Sequence, residues 1–237
     1  MDEVPEEVFS GLDRFSQAYV FPTPETGLQA QSRFESGRYQ LSIGNLNEAE
    51  REFKAAIDID DSDVQYWLWL CNVWYQRRDY QKCLELLQEI VGRFPDEAIV
   101  YFRIGEVYQL LEQHREACIS FHKALGCGTY DEPWPVELRL GYSYLAIGNI
   151  AKALEFHKAA FRGSPDSLET TLGLAHALSA QADALKLEGQ MTKARAAINR
   201  ALKLIRNAIK RIPDSMELKS AEAELSAQLN SVEEPGQ

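Results

Sequence analysis

Residues 101–121 read YFRIGEVYQLLEQHREACISF, and residues 67–87 read WLWLCNVWYQRRDYQKCLELL, one period earlier. Aligned, they place Trp67 with Tyr101, Leu70 with Ile104, Cys71 with Gly105 and Trp74 with Tyr108. Further on, Cys83 falls with Ala117 and Leu87 with Phe121. The interval is 34 residues throughout. The same interval extends upstream to Gly37, Ala49 and Phe53. Downstream, after two extra residues, Leu140, Gly141, Tyr144, Gly148 and Ala153 resume it. A fixed period of this length marks a stacked supersecondary unit, in which one hairpin cannot bury its apolar face alone. Small residues such as Gly105 and Ala117 let the two helices of a hairpin approach closely. Large ones such as Tyr101, Tyr108 and Phe121 fill the gap to the next hairpin. Pro95 and Pro165 end the second helices, because proline lacks the amide hydrogen and clashes with the preceding turn.

The pattern resembles the tetratricopeptide repeat (TPR) family, whose unit is W-x2-L-G-x2-Y…A-x3-F…P. The resemblance covers residues 30–215 and implies an all-α fold: a right-handed superhelix, or alpha-alpha solenoid, with N- and C-terminal capping helices. It divides that region into five hairpins, at 30–63, 64–97, 98–133, 134–167 and 168–215. Arg33 and Ser36 make the first unit degenerate, as terminal repeats often are. In the fourth, His157 stands where Phe is expected. The fifth is 14 residues too long. About seven residues per helix is close to two turns, so both helices lengthen in phase. This predicts a long hairpin of helices at about 168–188 and 190–212, turning at Gly189.

The ends have their own character. Residues 1–29 hold six acids against one base, and so do residues 214–237. Val8, Leu12, Phe15 and Tyr19 lie on one face of a predicted helix over 5–20. That segment is either a cap on the first repeat or a detachable arm that enters the groove or forms a homodimer through residues 5–21. Leu218, Ala221, Leu225 and Leu229 predict a C-terminal cap over 216–229, N-capped by Asp214 or Ser215. The loop 126–135 either presents Trp134 to a partner or tucks it onto the fourth repeat.

Composition narrows the function. The 237 residues carry a net charge of -11 and a pI near 4.9, unfavourable for nucleic acid or an anionic membrane surface. No segment reaches the roughly 18 consecutive apolar residues that mark a membrane helix. The acidic start does not read as a signal peptide. Cys71, Cys83, Cys118 and Cys127 lack CxxC spacing and read as reduced thiols of a cytoplasmic protein, with Cys71 and Cys83 as small core residues. A redox link between those two is the alternative. His114, His122, His157 and His176 lack metal-ligand spacing. No phosphate-binding, zincin or nucleophile-elbow motif is present. The expectation is therefore no catalytic residue, metal or cofactor.

What remains is binding. In TPR proteins the first helix of each hairpin lines the groove through particular positions. Carried over, the resemblance implies Phe34, Leu68, Phe102, Leu138 and Leu172 as an apolar ladder. Around it stand Arg38, Asn72, Glu106, Tyr142 and His176, with Trp69, Arg103 and Arg139 at a third position. Such a lining suits a partner peptide or amphipathic helix. The carboxylate clamp of chaperone-adaptor TPR domains is not reproduced. In one frame its positions hold Phe34, Arg38, Trp69, Ile99 and Arg103; in the other, Leu68, Asn72, Arg103, Pro135 and Arg139. A second candidate is the basic face of helix 190–212: Lys193, Arg195, Arg200, Lys203, Arg206, Lys210 and Arg211, with no acid. At 100° per residue it separates from an apolar face.

The reading is a non-catalytic adaptor, scaffold or chaperone that binds protein partners. One alternative is a chaperone similar to the class II chaperones of type III secretion. Another is a regulatory subunit docking through the basic fifth hairpin.

Overall fold

The computed structural model describes residues 24–128 and 132–233. The segment 5–20, expected to be a helix, lies outside them. Among the described residues there are eleven helices and no strand: α1 (Pro24–Ser42), α2 (Leu46–Ile59), α3 (Val64–Gln76), α4 (Tyr80–Arg93), α5 (Ala98–Leu110), α6 (His114–Gly126), α7 (Trp134–Ala146), α8 (Ile150–Gly163), α9 (Leu168–Leu187), α10 (Met191–Arg211) and α11 (Met216–Glu233). The fold is all-α, built from helical hairpins. None of the described helices is long and apolar enough to cross a membrane.

The chain separates between Val73 and Trp74, within α3, into two compact units. In the first, α1 packs on α2. Phe53 is fully buried, and its ring lies 5.9 Å from Phe34 and 6.1 Å from Trp69. Gly37 makes this possible: a Cβ there would sit 2.6 Å from the Phe53 ring. Helix α1 begins at Pro24, six residues ahead of the expected repeat boundary at 30. A proline in the first turn has no hydrogen bond to lose, so Pro24 is tolerated at the start of the helix.

In the second unit α5 pairs with α6, α7 with α8 and α9 with α10. The first helices also touch in series, α5 on α7, α7 on α9 and α9 on α11. They form one continuous layer. Gly105 faces Phe121 as Gly37 faces Phe53, with a would-be Cβ 2.5 Å from the ring. Gly141 faces His157 in the same way, at 2.6 Å. Trp134 packs its Cβ against Gly163, on its own repeat, where a glycine Cβ would lie 2.8 Å away. Side-chain oxygens of Asp79, Asn149 and Ser167 accept from Lys82, Lys152 and Thr170 amides, which caps α4, α8 and α9. Ser215 does the same for Leu218 at the start of α11.

The elongated hairpin holds an extensive core cluster. Ala194, Ala197, Ile198, Ala201, Leu202, Ile205 and Ala208 of α10 are buried, with Leu174, Ala177 and Leu178 of α9 and Leu218, Ala221 and Leu225 of α11. One cysteine expectation is overturned. Cys118 and Cys127 are free, but Cys71 and Cys83 are each disulfide-bonded. Thiol usage therefore no longer argues for a reducing compartment.

Candidate peptide-binding layer

The groove positions of the first unit gather around aromatic rings. Phe34 lies 4.9 Å from Tyr66 and 6.0 Å, edge-on, from Trp69. The exposed Arg38 guanidinium rests over both, 5.8 Å from the Phe34 ring and 5.1 Å from Trp69. Such cation–π contacts favour an ordered, outward-facing cation. Glu35 pairs with it at 3.1 Å. Phe34 and Leu68 are both buried, and Asn72 is half-buried.

In the second unit the layer carries a charge cluster. Glu106 on α5 takes Arg103 at 2.8 Å and Arg139 from α7 at 3.7 Å. The Glu106 side chain is 15% exposed, while the two arginines are 43% and 44% exposed. One sheltered carboxylate thus holds two guanidiniums, and the cluster keeps one net positive charge facing solvent. Below it, the Gln109 amide donates to the Arg139 carbonyl at 3.0 Å and to Ser143 Oγ at 2.8 Å, tying α5 to α7. Tyr75, at the end of α3, holds no groove position of the repeat. Burial raises its phenol, with Glu106 the next cause, and Arg103 and Arg139 act in the opposite direction. No residue pattern marks Tyr75; only the fold brings it into that field.

The apolar ladder is mostly consumed by packing. Leu138 is 3% exposed, whereas Phe102 and Leu172 are half-buried. Phe102 tilts onto Phe121 at 5.6 Å. Tyr142 is half-buried, its phenol raised by burial first and by Glu169 second. His176 is exposed. It borders a cavity of about 250 Å³ between α9 and α11, also lined by Ser179, Asp183, Ala221, Glu224 and Leu225.

The seven bases of α10 are all exposed. Arg206 and Arg211 are nonetheless engaged within the chain: Arg206 donates to Glu222 on α11 at 2.6 Å, and Arg211 pairs with Asp166 and donates to the Pro165 carbonyl.

Among the described residues no group of three His, Cys, Asp or Glu side chains could hold a metal ion. His122, Tyr144 and Lys152 do meet, with Tyr144 Oη 2.9 Å from His122 Nε2 and 3.3 Å from Lys152 Nζ. The neighbouring Cys118 thiol is pushed up by burial, the reverse of what activates a nucleophile.

Family models for the tetratricopeptide repeat match residues 29–98 and 98–126. Solved structures agree in fold. MamA (residues 41–end) from Desulfovibrio magneticus superposes with a TM-score of 0.61 at 17% identity, over 78% of this chain and 97% of that one. PilF from Pseudomonas aeruginosa gives 0.61 at 20% identity, over 90% and 95%. A tetratricopeptide repeat protein from Parabacteroides merdae gives 0.64 at 15% identity, over 85% and 73%. Repeat period, hairpin geometry and family match converge: residues 29–126 are tetratricopeptide repeats, and the described helices beyond them continue as hairpins in the same all-α fold.

Proposed function

We propose that the chain is a non-catalytic adaptor or scaffold that holds a segment of a protein partner along the layer of first helices. A protein-interaction role fits a repeat of this family. The observation that carries the finer reading is the Arg103–Glu106–Arg139 cluster. It presents two half-exposed guanidiniums beside the half-buried Phe102 and Tyr142. Arginine offers a rigid fork of donors that suits carboxylates and carbonyls, and aromatic rings supply contact area at low entropic cost. A partner segment with apolar anchors and an acidic or carbonyl-rich stretch suits that surface. The basic face of α10 has weaker support as the main dock, since Arg206 and Arg211 already serve α11 and the α8–α9 loop.

The test is affinity capture from the native cell with quantitative mass spectrometry. The double variant Arg103→Glu plus Arg139→Glu should lose most captured partners. Arg200→Glu plus Lys203→Glu should retain them. Undiminished capture by the first variant, with unchanged circular dichroism, would sink the groove reading.

A further inference from the structure

His157 occupies the position that Phe53 and Phe121 hold in other repeats, yet its ring has two polar atoms. The side chain is fully buried. Both ring nitrogens lack a hydrogen-bond partner. The reason is visible in the packing. Nε2 faces Gly141 on α7, where a Cβ would lie 2.6 Å away, and Nδ1 faces Gly173 on α9, also at 2.6 Å. The imidazole is thus wedged between the backbones of two successive first helices. Tyr142 covers it edge-on, with ring centroids 4.8 Å apart.

A neutral ring tolerates this niche as a flat, nearly apolar filler. An imidazolium does not, because it carries two N–H donors and a full charge, and a buried charge needs partners. Among the described residues, the groups acting on it offer none of opposite sign: Tyr142 comes from α7, and from α9 the charge acting on it is that of His176, another cation when protonated. Arg139 and Glu169 act on Tyr142, one ring further out. Burial, then His176, lowers the His157 ring from its ordinary 6.5 to about 4.

We propose that His157 is an acid-sensitive joint: protonating it parts α7 from α9 and disrupts the stretch of layer carrying Tyr142, Leu172 and His176, weakening partner binding there. The functional half of this inference rests on the layer being the binding surface; the structural half does not. The sign follows from linkage. Above pH 6.5 the ring is neutral in both folded and unfolded chains and contributes no pH dependence. Below it the unfolded ring takes a proton and the folded ring resists down to about 4, so stability falls as pH falls. From those two values, the unfolding constant should rise about 30-fold at pH 5 through this ring alone.

The experiment uses the full chain and no partner, so its failure is distinct from failure of the groove reading. Urea unfolding at pH 7.5 and 5.0 should show a loss in the wild type that exceeds that of His157→Phe by about this factor. Phenylalanine already fits the equivalent niches against Gly37 and Gly105. Hydrogen exchange at pH 5 should show α7 and α9 losing protection before α5 and α6. An equal acid response in both proteins overturns the proposal. So does a wild-type NMR titration in which the His157 ring protonates near 6.5 while α7 and α9 amides stay protected, a readout that stands even if the variant fails to fold.

Discussion

The missing side chain of Gly105 decides how closely α5 and α6 approach. A Cβ there would lie 2.5 Å from Phe121 Cε1, and that ring is fully buried and in contact with Phe102. The ring has nowhere to retreat. Gly105→Ala should therefore destabilise the chain by roughly 1–3 kcal/mol, as overpacking in a tight core does. Gly92, in the last turn of α4, has no atom within 4 Å of a would-be Cβ. Gly92→Ala should stabilise by about 0.5–1 kcal/mol by removing unfolded-state freedom. Urea denaturation measures both, and equal signs would refute the contrast. Spacing alone exposes the tight glycines Gly37, Gly105 and Gly141, because each stands sixteen residues before the ring it accommodates. Leu138 shows where spacing fails. Its position implies a groove residue, but its Cδ1 fills the hollow left by Gly173, 2.9 Å from where a Cβ would be. A ladder position faces outward only if the next repeat leaves no such hole, which is a property of two repeats together.

The hairpin turns repeat as strictly as the cores. Gly44, Arg78, Glu112, Gly148 and Gly189 occupy the same point of the turn, with φ of 78°, 60°, 58°, 77° and 73°. Glycine adopts this left-handed backbone freely; arginine and glutamate do so at a cost of about 1 kcal/mol. Glu112→Gly should accordingly raise stability by up to about 1 kcal/mol, read as a shift in thermal midpoint at constant pH. A lower midpoint would mean that Glu112 makes compensating contacts. Helix type and order were legible because the repeat fixes them, and α9 and α10, with 20 and 21 residues, share the extra length of the fifth unit. The amphipathic code of α10 is explicit: buried Ala and Ile on one side, seven bases on the other. The start of α1 was not legible, since the repeat boundary read from the spacing is residue 30 whereas the helix begins at Pro24. The disulfide-bonded state of Cys71 and Cys83 was legible only as the alternative to two reduced core thiols. Their spacing matches the small-residue positions of the repeat, so a packing role sufficed to explain them.

Charge and packing distribute differently along the chain. The net -11 collects at the two acidic ends, while α10 concentrates seven bases; α11 meets that helix both through Glu222 and through its apolar face. The exposed ion pair contributes little, about 1 kcal/mol at most. The apolar contact contributes more: Leu218 is fully buried among residues of α9 and α10. Leu218→Ala should cost about 2–5 kcal/mol, from lost burial and the cavity left behind. In the second unit the described hairpins pack on one another in series, so stability should behave as a sum of local contributions rather than one global quantity. The variant should then lose amide protection in α9, α10 and α11 while α5 and α6 keep theirs, as measured by native-state hydrogen exchange. Uniform loss from α5 through α11 would show instead that the unit opens as a single cooperative body, and that α11 holds the far hairpins as firmly as its own.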